Sequence, residues 1–272
     1  MKKQGNGTHM DYIEIEESEK STDHEMTTPH SHEYYELYFL LEGEREVFIE
    51  NKMFVVPKNT LVIVPPYSMH KTAGGPYKRI NINVSASLLS DYEKDFLKKI
   101  SACFAAEIEK NYLKTVTQIL KTGAKIQTES LPEKRETLLS FAKTVIHLLA
   151  RQQLRPVTCA SSYQSGKVPS DILKIVYYIN TNFTKNITLK EIGDEFYISK
   201  MTLCKQFKNV MHCSVMKYVN SLRINKAKEL LIHTNRSMEE IAALCGFSSA
   251  NYFGLAFKKD TGMSPYHFKK TR

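Results

Sequence analysis

The 272 residues predict an α+β chain of several domains: a small antiparallel β-barrel with following helices, then an all-α domain built from two helix-turn-helix units. Three observations carry that expectation. Up to about residue 85, short alternating or apolar runs are cut by turn residues; from Leu88 the apolar spacing changes to three or four; and the last hundred residues repeat themselves weakly.

The strand region, about 10 to 87, holds YELYFLL, EVFIE, MFVVP, LVIVPP and RININV, broken by EG, ENK, PKN and AGGP. Short strands at that spacing with tight turns suit a small barrel or sandwich. From 88 to 154, SDYEKDFLKKISACFAAEIEK and EKRETLLSFAKTVIHLLARQQL place apolar residues as amphipathic helices do. RPVTCASSYQSGKVPSD is polar and contains Ser, Gly and Pro, so 155 to 169 reads as a linker. The remainder, 170 to 272, reads as helical.

Charge separates the two halves. From residue 168 onward there are 16 basic and 8 acidic side chains, against 22 and 21 before it, so almost all of the net +9 lies in the helical end. A small basic unit suggests a polyanionic partner. No apolar run reaches the length of a membrane span and no apolar h-region follows the first lysines, so a cytoplasmic protein without membrane contact is expected. Five cysteines without CxxC spacing suit buried thiols in a reducing compartment.

The repeat defines the helical unit. Thr188, Ile192 and Gly193 match Ser237, Ile241 and Ala242 at an offset of 49, and Leu203, Phe207 and Ser214 match Phe253, Phe257 and Ser264 at 50. Each copy opens on a capping box, Thr188 with Glu191 or Ser237 with Glu240. A short helix, a turn and a second cap at Ser199 or Ser249 follow, which is the sequence form of a helix-turn-helix. In the second helices, Leu203, Phe207 and Val210, or Phe253, Ala256 and Phe257, form the buried stripe. Lys200, Met201, Cys204, Lys205 and Lys208, or Ala250, Asn251, Gly254, Leu255 and Lys258, are left on the opposite face. Such a helix fits a DNA major groove. Between the copies, SVMKYVNSLRINKAKELLIHT is one long helix whose apolar stripe turns about its axis, a spacer between the two units. GMSPYHFKK starts a last short helix at Ser264 and Pro265.

With LRINKAKELL, IAALCGFSSANYFGLAFKKDTGMSP and the final helix in view, residues from about 171 to 272 resemble the DNA-binding domain of AraC/XylS-type transcriptional regulators. The resemblance implies seven helices and binding to double-stranded promoter DNA as monomer or dimer. Its base-reading positions fall on Met201, Cys204 and Lys205, and on Ala250, Asn251, Gly254 and Leu255. Ser199, Thr202 and Ser249 at the helix starts and Lys258 and Lys259 complete the expected DNA-binding set. Gly254-Leu255 stands where the family often carries Ser-Arg or Thr-Arg, so the first unit is expected to supply most base discrimination.

In the first half, PHSHEYYELYFLLEG has the spacing His-x-His-x3-Glu-x6-Gly, and PPYSMH adds a further histidine. On a regular strand His30, His32 and Glu36 share a face. The stretch resembles the cupin barrel that precedes the helix-turn-helix domain in many such regulators, with Tyr67 in place of the usual Gly and no Asn at the expected distance from His70. His30, His32, Tyr34, Glu36, Tyr38 and His70 are the expected effector-binding residues; no metal, no cofactor and no catalytic residue is expected. The helices after residue 88 resemble the family's dimerisation helices. The expectation is therefore a non-enzymatic, effector-controlled homodimeric regulator, with RNA polymerase as a further partner. The alternative is a cupin metalloenzyme fused to a nucleic-acid-binding module.

Overall fold

The computed structural model describes residues 11–24, 26, 28–50, 52–101, 104–157 and 170–271. Most of the expected linker, with Cys103 and Cys159, lies outside the described residues. Contacts divide the chain into two compact units, one holding the described residues up to 157 and the other those from 170.

The first unit contains strands β1 (Ile13–Lys20), β2 (Tyr35–Ile49), β3 (Lys52–Pro57), β4 (Thr60–Val64), β5 (His70–Ala73) and β6 (Tyr77–Val84). Then follow α1 (Asp91–Ser101), β7 (Ala105–Glu107), α2 (Lys110–Thr128), α3 (Lys134–Ala150) and β8 (Arg155–Pro156). All strand pairs are antiparallel, in the order β1-β6-β2-β4-β7-β8, with β3 and β5 also on β2. The break expected at Glu42-Gly43 does not end a strand. A register shift between Leu40 and Glu42 bends β2 instead, so its first half pairs with β4 and β6 and its second half with β3 and β5. A bulge increases local bending without ending the strand, and here one strand serves both sheets of the barrel.

Period-two alternation then sorts the side chains. Leu37, Phe39, Leu61, Ile63, Ile80, Ile82 and Val84 face the helices and join a core with Val116, Leu120, Leu138, Val145 and Leu149. Tyr38, Leu40, Val62 and Val64 face the other way, into the barrel, with Val47, Ile49, Phe54 and Val56. The segment expected as separate helices over 88–154 therefore shares one core with the sheet. Its first stretch is also not one amphipathic helix: α1 ends at Ser101, and Ala105–Glu107 returns to pair with β4. A three-residue strand is too short to show a period. Ala106 and Glu107 pair in turn with Pro156 and Arg155, so the start of the expected linker is an edge strand, where a proline is tolerated.

The second unit has seven helices among the described residues: α4 (Ser170–Asn182), α5 (Leu189–Glu195), α6 (Lys200–Met211), α7 (Val215–His233), α8 (Met238–Leu244), α9 (Ala250–Thr261) and α10 (Pro265–Lys270). From α5 onward each begins at a Ser or Thr, namely Thr188, Ser199, Ser214, Ser237, Ser249 and Ser264, whose side chain accepts a hydrogen bond from a first-turn amide. Both capping boxes are reciprocal. Each such cap stabilises its helix by about 1 kcal/mol, which matters for α5 and α8 at seven residues each.

The buried stripe of α7 turns as expected. Val215, Tyr218, Val219 and Leu222 serve one end and Ala227 and Leu231 the other. It touches α4 and α6 on one side and α8, α9 and α10 on the other. Where α5 meets the turn to α6, a Cβ on Gly193 would sit 2.8 Å from the Ile198 carbonyl oxygen, so this approach requires glycine.

Candidate nucleic-acid interface and buried sensor cluster

Helices α6 and α9 are held by their inward stripes, Leu203, Phe207 and Met211 in one and Phe253 and Phe257 in the other, while Val210 and Ala256, expected in these stripes, are only half-buried. The outward faces are those expected from spacing. Lys200, Met201, Lys205 and Lys208 are exposed on α6, with Thr202 and Cys204 half-buried. Asn251, Leu255, Lys258 and Lys259 are exposed on α9, with Ala250 and Gly254 half-buried. Met201 is 79% and Leu255 71% exposed; apolar side chains with that little cover gain from contact with another molecule. Nothing lies within 4 Å of a Cβ built on Gly254, so the α9 face is open beside Leu255.

The hydroxyls of Ser199, Thr202 and Ser249 are already engaged. Ser199 Oγ accepts from the Thr202 amide at 3.1 Å and lies 2.8 Å from Thr202 Oγ1, and Ser249 Oγ accepts from the Tyr252 amide at 3.2 Å.

Two features of this unit were not read from the sequence. Arg223 on α7 is buried, donating from Nε to the Phe183 carbonyl at 2.7 Å and from Nη2 to the Lys185 carbonyl at 2.8 Å, with its guanidinium 5.8 Å from the Phe247 ring. One side chain thus touches both the segment before α5 and the turn after α8. Tyr252 on α9 accepts from Asn220 Nδ2 of α7 at 3.4 Å. Neither follows from periodicity, which marks faces and not partners.

In the first unit the expected residues do come together, though not through a regular strand. β2 begins only at Tyr35, and His30 forms an isolated antiparallel bridge with His70. His32 Nε2 is 3.0 Å and His70 Nε2 3.3 Å from Glu36 Oε2, while Asn81 Nδ2 donates to Glu36 Oε1. The His30 ring lies 4.2 Å from that of His70, and the Tyr34 ring stacks on His32 at 4.1 Å. Burial alone would raise the Glu36 carboxyl, but the interactions with His32 and His70 hold it well below the ordinary carboxylate range. Desolvation of its ring, aided by the neighbouring histidines, lowers His30 to about 4, although the residue as a whole stands exposed at the rim of the cluster. Burial pushes the Tyr34 hydroxyl up to about 12. Tyr67, standing where the cupin pattern has Gly, adopts the glycine-like φ of 65° and donates its amide to the His32 carbonyl at 2.7 Å. The turn survives the substitution.

With both sites placed, the chain can be set beside known proteins. The AraC-like ligand binding domain family matches residues 15–123, and the helix-turn-helix domain family residues 192–271. The first unit thus matches an AraC-like ligand-binding domain and the second a helix-turn-helix domain. The AdaA protein of Bacillus subtilis, described as a bifunctional transcriptional activator and DNA repair enzyme, is 34% identical over 96 residues, 35% of this chain and 46% of AdaA. The transcriptional activator RhaS of Citrobacter koseri is 30% identical over 122 residues, 44% of each chain. The chain thus spans less than half the length of these curated relatives. Among solved structures, the C-terminal domain of the response regulator AraT of Geobacillus stearothermophilus is 29% identical, covering 39% of this chain and 89% of that one, with a TM-score of 0.38.

Within the AraC-like ligand-binding region, the donor atoms of His32, Glu36 and His70 lie within 4.8 Å of one another and are of the type that holds a divalent cation. His32 and Glu36 also hydrogen-bond one another directly, whereas His70 Nε2 is buried without completing such a bond. The expected effector residue Tyr38 sits apart from this cluster, one step deeper along β2. Its neighbours are Arg79, whose guanidinium is 4.9 Å from its ring, and Asn81, its partner across the sheet. Arg79, Arg45 and Tyr77 were not singled out from the sequence. The usable signal was KRININV, where Arg79, Asn81 and Asn83 alternate with core isoleucines and so point into the barrel.

Proposed function

We propose that this chain is an AraC-family, sequence-specific regulator of transcription, binding promoter DNA as a homodimer under control of a small molecule held in the sensor barrel. The observation that carries the DNA reading is the pair of exposed faces on α6 and α9, both fixed to α7. The 19 residues of α7 extend about 28 Å, comparable with the ~34 Å of one DNA turn. In this reading Lys200, Lys205, Lys208, Lys258 and Lys259 meet phosphates or bases, and Met201, Cys204, Ala250, Asn251, Gly254 and Leu255 meet base edges. Ser199, Thr202 and Ser249 act by holding the helix starts toward the backbone. The relatives AdaA and RhaS are named as transcriptional activators, which supports an activating role with RNA polymerase as partner.

On the sensor side, an effector near His30, His32, Tyr34, Glu36, Tyr38 and His70 acts only if it binds two arrangements of the chain with different affinity. The family match favours the regulator over the metalloenzyme reading. The test is selection from random duplex DNA with the full chain at two salt concentrations. Enrichment of two contact blocks about 10 base pairs apart is expected, whereas salt-sensitive retention with no enriched sequence would refute sequence-specific binding. Sedimentation of the same sample as a monomer at micromolar concentration would refute the homodimer.

A further inference from the structure

We propose that the barrel interior takes a small anionic ligand, its carboxylate or phosphate group held by Arg79 with the Tyr38 hydroxyl as second donor. The proposal rests on reading this unit as an effector sensor and names the class of effector. Among the described residues, two guanidinium groups point into the barrel. Arg45, 1% exposed, is a strap: Nη1 donates to the Gly75 carbonyl at 3.0 Å and Nη2 to the His24 carbonyl at 2.7 Å. Arg79 has no such employment. Its guanidinium lies 4.9 Å from the Tyr38 ring and 5.6 Å from the Tyr77 ring, and its buried Nε meets no hydrogen-bond acceptor.

Among the described residues no carboxylate pairs with either arginine. The buried acid nearest to serving them, Glu36, is committed to His32, His70 and Asn81. Arg79 is half-buried, but its Nε is shut off from water without an acceptor, an unmet donor that a bound oxyanion would satisfy. The tyrosine rings cover the guanidinium face, leaving in-plane N–H donors suited to a planar or tetrahedral oxyanion.

The neighbouring polar atoms point the same way. Tyr38 is 2% exposed, and its hydroxyl lies near Arg45 without completing a hydrogen bond. The donor Arg45 Nε is likewise buried and unpartnered. Arg79 itself is only partly buried, so the group can be reached from outside. The histidine cluster, by contrast, centres on the Glu36 carboxylate, which repels an anion, although His70 Nε2, 3.3 Å from Glu36 Oε2, completes no hydrogen bond. The ligand's charged end is therefore assigned to Arg79 and not to the histidines.

The experiment is equilibrium dialysis of the full chain against radiolabelled inorganic phosphate and, separately, radiolabelled octanoate, with chloride matching the ionic strength. Arg79→Gln and Tyr38→Phe are compared with the unmodified chain, and circular dichroism checks their folding. Saturable binding of one probe, weakened at least tenfold by Arg79→Gln and about threefold by Tyr38→Phe, is expected, and the probe that binds separates a phosphate from a carboxylate source. No saturable binding of either probe, or binding unaltered in both variants, overturns the proposal. If Arg79→Gln does not fold, Tyr38→Phe decides alone. DNA binding is measured in the same samples: its absence from the unmodified chain would defeat the regulator reading and leave the dialysis result standing.

Discussion

The two helix-turn-helix turns solve one backbone problem with different residues, and exchanging them has a calculable effect. Gly246, at the turn after α8, has φ of 82°, and the residue 49 positions earlier, Tyr197, has φ of 53°. The left-handed region costs an L-residue roughly 1–2 kcal/mol, and glycine gives back about 0.5–1 kcal/mol through the entropy of the unfolded chain. Tyr197 is 96% exposed, so its removal forfeits little packing. Tyr197→Gly is therefore expected to stabilise the helical unit by about 0.5–1 kcal/mol. The reverse change is far worse. A Cβ at Gly246 would lie 2.5 Å from the Thr184 carbonyl oxygen and 2.9 Å from that of Phe183, backbone that Arg223 fixes in place. Left-handed strain together with the ~1–3 kcal/mol of overpacking, less the same entropy difference, makes Gly246→Ala cost about 1–4 kcal/mol. Urea unfolding of the full-length variants, followed by circular dichroism, measures both. A destabilised Tyr197→Gly, or a Gly246→Ala indistinguishable from the parent, would refute the reasoning.

Other expectations concern the DNA face, the α7 anchor and the sensor helices. On a selected operator, Lys205→Ala should relax base preference in the first block by about 1–3 kcal/mol. Replacing with uracil a thymine that Leu255 contacts should weaken binding about fourfold, the worth of one methyl at ~0.8 kcal/mol; a neutral result in a gel-shift titration would remove Leu255 as a reader. Arg223→Met should strand the Phe183 and Lys185 carbonyls, each loss about 1–3 kcal/mol, and lower the melting temperature of the helical unit. Glu93, 2% exposed, accepts from the Ser90 amide at 2.7 Å and lies 3.0 Å from His147 Nε2. Burial would raise its carboxyl, but the Ser90 bonds, His147 and Lys143 lower it below its ordinary value. A lowered carboxylate gives stability present above its unfolded value near 4.3 and lost as pH falls through the folded one. The gap between the parent and Glu93→Gln should thus be full near neutrality and close in acid; a gap independent of pH would exclude this origin.

What could be read in advance was what local chemistry writes. The Thr188–Glu191 and Ser237–Glu240 boxes, the stripes of α6 and α9 and the turning stripe of α7 are all patterns within a few residues, and each is found in place. The His32–Glu36 pair was legible from its spacing of four. What escaped were contacts made across the fold. Ala105–Glu107 becomes a strand only because β4 offers it an edge, and Arg223 matters through carbonyls some 40 positions earlier in the chain. Arg79 reads as one more surface charge until β6 is paired in register with β2. The left-handed Tyr197 lay within reach, because extending the repeat by its own offset of 49 aligns it with Gly246.

The single rigid rod of α7 sets how an operator for this chain can change. In the proposed complex the gauge between the two reading helices belongs to the protein, so a promoter can be tuned by base substitution in small, graded steps. Inserting one base pair between the two blocks is different in kind: it shifts the second block about 3.4 Å along the axis and roughly a tenth of a turn around it, where α9 cannot follow without breaking its seat on α7. Regulation by such a caliper tolerates spelling errors and forbids changes of spacing. Binding sites in a genome should accordingly vary in letters and hold their interval constant.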